Sequence, residues 1–177
     1  MAEGAGGGSA GALGTAVATF FTSDTHFGDH RTLNLYKRPF ASVAEMDAAL
    51  VRRWNAVVAP GDEVWHLGDF ARTAARAREI LPQLHGEKHL IAGNNDVDPA
   101  VDQGWASVAP YVEIERDGHF LVLCHYPFRT WNRQYKGALD LHGHAHGRLK
   151  GPETRQFDVG VDVWDYRPVT VAELLSS

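Results

Sequence analysis

Cysteine, long apolar runs and excess positive charge are all scarce in this 177-residue chain, and each scarcity excludes a class of protein. The single cysteine, Cys124, cannot form an internal disulfide, which argues against a disulfide-rich secreted scaffold and favours a reducing compartment. No apolar run reaches the roughly 20 residues of a membrane-spanning helix. The formal net charge of −5 argues against broad binding to DNA or RNA, which needs a basic face. We therefore expect a cytoplasmic protein without a membrane partner.

The start of the chain lacks the side chains that build a hydrophobic core. Residues 1–14 are almost wholly Gly, Ala and Ser, without the charged-then-apolar order of a secretory signal. This composition is typical of flexible coil. The remaining length suits one substantial core and not two. We expect a flexible tail over residues 1–14 and a single domain over residues 15–177.

The first half of the chain predicts strands that alternate with helices. Segments rich in β-branched and aromatic residues predict three buried strands, at 17–21, 63–67 and 88–92. Ser42 and Glu45 form a capping box that opens one helix, and residues 71–84 predict another. Residues 28–40 are predicted to form a polar loop. Because helical crossovers join parallel strands, this order predicts an α/β sheet.

The second half predicts an antiparallel hairpin and further short strands. The predicted strands lie at 111–116, 119–125, 138–142 and 155–161. Asp117-Gly118 is a strong hairpin signal between the first two of them. A loop rich in Arg, Trp and Tyr follows over residues 126–136, and Thr170 with Glu173 caps a final short helix. A one-domain α/β sandwich with a mixed sheet is the simplest architecture.

Side chains that commonly bind metals follow the predicted strands. They are Asp24, His26, Asp69, Asn94, His125, His144 and His146. Taken singly, each has a structural alternative: Asp69 could cap a helix, Asn94 could form an Asx-turn, and His125 could be a hydrogen-bonded core histidine. Ligands bind at the carboxyl edge of open α/β sheets, and a two-metal hydrolytic site needs about this many ligands. Their recurrence therefore predicts such a site.

The order and spacing of these motifs resemble the signature of the calcineurin-like metallophosphoesterases. The motifs are Asp24-Thr25-His26, Gly68-Asp69, Gly93-Asn94-Asn95-Asp96, His125 and Gly143-His144-Ala145-His146. The match extends over roughly residues 16–175, and His125-Tyr126-Pro127-Phe128 with Trp131-Asn132 is similar to a small prokaryotic phosphoesterase branch. The resemblance implies a four-layer α-β-β-α sandwich with mixed sheets.

The resemblance also implies how the ligands divide between two divalent metal ions. The first ion would be bound by Asp24, His26 and His146. The second would be bound by Asn94, His125 and His144, with Asp69 as the bridging ligand. Manganese is favoured, and iron, zinc, nickel or cobalt also suit oxygen and nitrogen ligands without thiolate. The implied function is a phosphoester hydrolase, with phosphodiesters favoured, in which a hydroxide that bridges the metals attacks phosphorus in line.

Position 95 departs from the family pattern, in which a histidine gives a proton to the leaving alkoxide. Asn95 can donate a hydrogen bond but cannot transfer a proton at neutral pH. General-acid catalysis is typically worth 10²–10⁴-fold, so its loss should affect poor leaving groups most. Asp96 and His30 are candidate substitute acids. The catalytic candidates are therefore Asp69, Asn95, Asp96 and His30.

Candidate substrate contacts come from Asn94 and from two loops. Arg129 and Arg148 could clamp a phosphate, and Trp131 could stack on a base. The expected partner is a small phosphoester, with nucleotides among the candidates. A phosphomonoesterase, a nucleotide pyrophosphohydrolase and a catalytically weak metal-binding scaffold remain as alternatives.

Overall fold

The structure is a computed structural model that describes residues 16–96, 104–149 and 154–177. The predicted tail at residues 1–14 lies outside the described residues. Within the three described ranges, no helix combines the length and the apolar character that crossing a membrane requires.

The first sheet contains four parallel strands in sequential order. They are β1 (Thr19–Thr22), β2 (Glu63–His66), β3 (Glu87–Ile91) and β4 (Ser107–Ala109). Phe20 pairs with Val64, and Val64 pairs with Lys88, so the strand ends stay aligned. The three predicted strands are confirmed. β4 was not predicted, because three residues at the sheet edge carry too little apolar pattern to be recognised.

The second sheet also contains four strands, and its pairing is mixed. They are β5 (Tyr111–Arg116), β6 (His119–Cys124), β7 (Leu139–His142) and β8 (Gln156–Asp158). β5 and β6 form the predicted antiparallel hairpin, while β6–β7 and β7–β8 are parallel. At the turn, Asp117 and Gly118 both have positive φ, at 52° and 77°, as a type I′ turn requires. The predicted hairpin is therefore confirmed.

Four α-helices accompany the sheets in the described ranges. They are α1 (His30–Leu35), α2 (Val43–Val57), α3 (Ala74–Ile80) and α4 (Val171–Leu175). Ser42 caps α2 by accepting from the Glu45 backbone N–H, and α4 carries the predicted capping box. α3 ends at Ile80 and continues as a 3-10 helix, Leu81–Gln83, that contains Pro82. The prediction of a loop over residues 28–40 is wrong for α1, whose six residues are too few to show helical periodicity.

Alternate residues of the first sheet face two different cores. Phe20, Val64 and Leu90 pack outward against Met46, Leu50 and other apolar residues of α2 and α3. Their neighbours Phe21, Trp65 and Ile91 pack inward against the second sheet. The period-2 alternation of a strand accounts for this division. It gives three layers: helices, first sheet and second sheet.

The fourth layer covers the outer face of the second sheet. Val122 and Ala138 pack there against Trp131, which belongs to a loop that includes the 3-10 helix Gln134–Lys136. α4 joins the core between the sheets through Val171 and Leu174. The predicted four-layer α/β sandwich is confirmed, with one purely parallel sheet and one mixed sheet.

Candidate metal centre

The predicted ligands converge where strands from both sheets end. Asp24 and His26 follow β1, Asp69 follows β2, and Asn94 follows β3. From the second sheet, His125 directly follows β6, and His144 and His146 follow β7. The two sheets are joined at this edge, because the backbone N–H of His144 donates to Asp24 Oδ2 at 2.9 Å. The sandwich thus gathers side chains that lie up to 122 residues apart (24 to 146) in the chain.

Two overlapping groups of side chains have the spacing to hold a cation. In each group the potential ligand atoms lie within 4.8 Å of one another: Asp24, His26 and His146, and Asp24, Asp69 and His125. Asn94 adds its side-chain oxygen to the second group, 3.2 Å from His125 Nε2. Oxygen and imidazole ligands at such spacing suit divalent transition metals.

The Asp69 carboxylate lies between the two groups. Its Oδ2 is 3.6 Å from His26 Nε2, and its Oδ1 is 3.7 Å from His125 Nε2. Each oxygen of one carboxylate therefore faces a histidine of a different group. This is the position that a bridging ligand would occupy between two ions about 3.5–4 Å apart.

Two buried atoms at the centre have no hydrogen-bond partner among the described residues. Asp24 Oδ1 and His26 Nε2 lie 3.8 Å apart and are both unsatisfied. Burial raises the pKa of the Asp24 carboxyl well above its ordinary value, and the nearby Asp69 carboxylate adds to that effect. Burial also lowers the pKa of His26 to about 4, so its imidazole is neutral near pH 7. Unsatisfied acceptors and neutral imidazoles turned toward one another fit a bound cation, which would satisfy both atoms.

The backbone is unusual at these residues. The left-handed region is occupied by Asp24 (φ 55°), His26 (φ 49°), Asp69 (φ 58°), His144 (φ 65°) and His146 (φ 48°). Only a few per cent of non-glycine residues adopt such angles. Five of the predicted ligands therefore have strained backbone conformations, and such strain is common at functional sites.

Two motif glycines are required by close packing. A Cβ at Gly143 would lie 1.9 Å from Ser23 Oγ and 2.4 Å from Asp24 Oδ2. A Cβ at Gly93 would lie 2.4 Å from Asp69 Oδ1. Because Gly93 and Gly143 have no side chain, the strand ends that carry the predicted ligands can approach one another closely enough to form one site.

Hydrogen bonds behind the ligands orient the imidazoles. His125 Nδ1 lies 2.7 Å from the Leu67 carbonyl, and His146 Nδ1 lies 2.7 Å from Asp162 Oδ2. If each Nδ1–H donates, each Nε2 keeps its lone pair directed at the centre, as metal-binding histidines require. The sequence reasoning did not identify Asp162.

A buried arginine holds Asp162 in place. Arg38 donates from Nε and Nη2 to the two carboxylate oxygens of Asp162, both at 2.8 Å. It also donates to the backbone carbonyls of Asp24 and Thr25 at 2.6 and 2.9 Å. Burial would raise the pKa of Asp162, but hydrogen bonds from His146 and Arg38 outweigh it and lower that pKa. Arg38 therefore ties the first ligand loop to the partner of His146, although 124 residues separate it from Asp162.

The catalytic candidates of the third motif bind Asp69 and its loop. Asn95 donates its backbone N–H to Asp69 Oδ1 at 2.9 Å and its side-chain amide to Oδ2 at 2.6 Å. Asp96 accepts backbone N–H groups of Asp69, Gly93 and Phe70 at 2.6–3.0 Å. Both oxygens of Asp96 thus fasten the loops together, and this geometry gives no support to a role in proton transfer. His30, the other candidate acid, is exposed as the first residue of α1.

The candidate substrate contacts fall in different places. Arg148 lies beside the ligands: its guanidinium carbon is 4.7 Å from the centre of the Tyr36 ring, which stacks on His146 at 3.5 Å. Trp131 packs instead in the fourth layer and donates its indole N–H to the Ala138 carbonyl. Arg129 is exposed in the same loop. The sequence reasoning did not identify Tyr36, because it placed this residue in a featureless loop.

Comparisons with known proteins find sequence relatives and a similar solved structure. The protein MJ1445 of Methanocaldococcus jannaschii is 32% identical over 161 residues, covering 86% of each chain. The gene 66 protein of Mycobacterium phage D29 is 30% identical over 178 residues, covering 82% of this chain and 88% of the phage protein. A protein of unknown function from Aquifex aeolicus, AQ665, has a solved structure with a TM-score of 0.74 and 26% identity, covering 89% of this chain and 97% of its own. No protein-family model matches the chain.

The two packed sheets, with the candidate ligands at their shared edge, are the architecture that the resemblance to the calcineurin-like metallophosphoesterases implied. The chain belongs to a family that includes the Methanocaldococcus jannaschii protein MJ1445.

Proposed function

We propose that this protein is a metal-dependent phosphoesterase that binds two divalent ions and hydrolyses phosphodiesters in preference to monoesters. The observation that carries the proposal is the Asp69 carboxylate, whose two oxygens face histidines of two different ligand groups. Manganese is the favoured ion, and iron, zinc, nickel or cobalt would suit the same ligands.

The ligands would divide between the ions as the family resemblance implies. One ion would be held by Asp24, His26 and His146. The other would be held by Asn94, His125 and His144, with Asp69 shared between them. Such a pair of ions, when bound, lowers the pKa of water and offsets the charge that develops on phosphoryl oxygens. The protein's own part is to fix the ligand positions through Arg38, Asp162 and the backbone hydrogen bonds described above.

Substrate would enter beside the Tyr36 ring and Arg148. The Arg148 guanidinium is anchored by the Leu35 carbonyl at 2.9 Å and by the face of the Tyr36 ring. A guanidinium can bind a phosphoryl oxygen through paired hydrogen bonds. One cation beside one aromatic ring suits a diester, which carries a single negative charge and a second ester group. A small phosphodiester, with nucleotides among the candidates, is the proposed substrate class.

The leaving group would depart without a proton from position 95. The Asn95 amide is engaged with Asp69 and has no proton to transfer at neutral pH. Activated aryl esters, whose leaving groups depart unprotonated, should therefore react much faster than alkyl esters.

The test is hydrolysis of aryl phosphodiesters and monoesters with Mn²⁺, before and after chelation, in wild type and Asp69→Ala. We expect chelation to abolish turnover, added Mn²⁺ to restore it, and Asp69→Ala to lose most of the bound metal and essentially all turnover. Faster hydrolysis of monoesters or of pyrophosphate bonds would replace the diesterase proposal. Two bound metals without any turnover would instead support a metal-binding scaffold. Wild-type activity and metal content in Asp69→Ala would refute the two-metal proposal.

A further inference from the structure

A cleft, called here the distal cleft, lies where β6 and β7 begin, at the opposite ends of these two strands from the ligands. It has a volume of about 660 Å³, and its lining includes His119, Phe120, Arg133 and Lys136. His119 begins β6, whereas the ligand His125 follows the end of the same strand. Six residues of β-strand extend roughly 20 Å. A small ligand in this distal cleft could therefore not be the ester that reacts at the metal centre.

The distal cleft concentrates positive charge in an acidic protein. Arg133 and Lys136 line it, and Arg155 reaches its rim, because its Nη1 lies 3.1 Å from where a Gly137 Cβ would stand. One carboxylate, Glu115, also lines the cleft, 3.8 Å from Arg133 Nη1. Among the residues that the structure describes, Lys136 and Arg155 have no ion-pair partner. Three cations against one carboxylate leave a local charge of about +2 in a chain whose net charge is −5.

The cations project from a well-anchored loop. The Trp131 indole donates to the Ala138 carbonyl at 3.0 Å, and this bond closes the segment that carries Arg133 and Lys136. The Arg133 guanidinium carbon lies 4.2 Å from the centre of the Phe120 ring, which fixes its direction. Gly137 lacks a side chain where one would contact Arg155. The Arg133 guanidinium is thus held in place before any ligand binds, which reduces the entropy cost of binding.

We propose that the distal cleft binds a small multivalent phosphate anion of the polyphosphate type. Guanidinium groups bind phosphate oxygens in pairs, and a lysine ammonium adds a further charged donor. The cleft volume lies within the 300–1,000 Å³ typical of small-ligand sites. A monovalent anion would leave the local positive charge only partly neutralised, whereas a polyphosphate carries enough charge and oxygen atoms to contact all three cations. This inference does not depend on the proposed phosphoesterase activity.

The experiment is calorimetric titration of metal-free protein with inorganic tripolyphosphate at low ionic strength, with sodium sulfate as the ionic control. We expect one tripolyphosphate per chain and binding at least tenfold weaker in the double variant Arg133→Gln/Lys136→Gln. The matched control is Arg52→Gln/Arg72→Gln, which removes two exposed cations elsewhere and should change affinity less than twofold. Arg155→Gln provides a second, single-site test should the double variant fail to fold.

Two further variants separate this site from the metal centre. Asp69→Ala should bind tripolyphosphate as wild type does, and Arg133→Gln/Lys136→Gln should hydrolyse an aryl phosphodiester at the wild-type rate. If the Arg52→Gln/Arg72→Gln control bound tripolyphosphate as weakly as the cleft variant does, net charge alone would explain the loss of affinity, and the proposal would be overturned. Absence of binding, or binding lost in Asp69→Ala and kept in the cleft variant, would also overturn it. Tighter binding of a poly-glutamate peptide than of tripolyphosphate would replace the proposed ligand with an acidic protein segment.

Discussion

Asn95 holds the Asp69 carboxylate with two hydrogen bonds, one to each oxygen. The backbone N–H reaches Oδ1 at 2.9 Å, and the side-chain amide reaches Oδ2 at 2.6 Å. The same two oxygens face His125 and His26. Asn95 therefore fixes the direction of the carboxylate that is proposed to bridge the metals. The residue that departs from the family pattern thus has a positioning role that the sequence did not reveal.

Replacing Asn95 by alanine should weaken metal binding. The variant keeps the backbone hydrogen bond and loses the amide, so Asp69 becomes freer to turn. Loss of a partner behind a metal ligand typically costs 10- to 100-fold in metal affinity, and we expect a loss in that range. Competition with a fluorescent metal indicator measures it. The matched control is Asn132→Ala, which removes an amide bonded to the exposed Glu113 carboxylate and should leave metal affinity unchanged. Equal affinities in wild type and Asn95→Ala would contradict the positioning role.

Replacing Asn95 by histidine should increase the hydrolysis rate mainly for esters with poor leaving groups. An imidazole can transfer a proton where the amide cannot, so hydrolysis rate should depend less steeply on leaving-group pKa. The gain for alkyl esters should be about 10- to 10³-fold. A series of phosphodiesters graded by leaving-group pKa, run with saturating metal, gives the slope. Asn95→Ala loses the amide without gaining an acid and should keep the steep slope. An unchanged slope in Asn95→His would indicate that another residue already supplies the proton.

Breaking the buried Arg38–Asp162 pair should destabilise the fold. The Arg38 side chain is fully buried, and Arg38→Met would remove the Arg38 donors from the Asp162 carboxylate and from two backbone carbonyls. Removing one partner of a buried pair typically costs about 3–5 kcal/mol. Urea denaturation should show a loss of this size. The control is Arg53→Met, which breaks a largely exposed pair with Asp165 and should cost less than about 1 kcal/mol. If the two variants lost similar amounts of unfolding free energy, burial of the ion pair would not explain the loss.

Replacing Gly143 by alanine should reduce the stability of the fold far more than replacing Gly61 by alanine. The Gly143 Cβ would lie 1.9 Å from Ser23 Oγ, so two strand ends would have to separate. We expect Gly143→Ala to lose about 3 kcal/mol or more and to bind metal poorly, because the separation also moves Asp24. In the described part of the chain, no heavy atom beyond the two neighbouring residues lies within 4 Å of a Cβ built at Gly61, so Gly61→Ala should change stability by less than about 0.5 kcal/mol. Thermal and urea denaturation compare the two, and similar stabilities would contradict the packing argument.

Buried His66 should make stability depend on pH. The Gly68 backbone N–H donates to His66 Nδ1 at 3.2 Å, which leaves Nε2–H to donate to Thr25 Oγ1 at 2.9 Å. Burial holds the pKa of His66 well below its ordinary value, and the nearby His125 and His26 add to that effect. The unfolded chain takes up this proton near pH 6.5 and the folded chain does not, so the contribution of His66 is complete above pH 6.5 and falls as the pH falls.

The measurement is the free energy of unfolding of chelator-treated wild type and His66→Gln at pH 7, 6 and 5. Glutamine takes up no proton, so the difference between the two proteins should shrink below pH 6.5. The change should approach about 1.4 kcal/mol per pH unit. A difference that stays constant from pH 7 to 5 would show that His66 takes up its proton as readily in the folded protein as in the unfolded chain.

The sequence by itself determined most of the elements, with α1 and β4 as exceptions, and the kinds of side chain at their ends. Segments rich in β-branched and aromatic residues predicted β1, β2 and β3, Asp117-Gly118 predicted the hairpin, and Ser42 with Glu45 predicted the start of α2. These features depend on neighbours within a few residues, so local patterns are sufficient to predict them. The candidate metal-ligand motifs are equally local, which is why their order already supported the resemblance to the metallophosphoesterases.

Only the tertiary structure decided which partners orient those side chains. Arg38 and Asp162 are 124 residues apart, and Asn95 reaches Asp69 across 26 residues. Trp131 follows a ligand strand yet packs in the fourth layer, because its indole finds the Ala138 carbonyl and an apolar surface there. A side chain's type sets which bonds it can form. Which bonds form depends on how the two sheets pack, and that packing is a property of the whole chain.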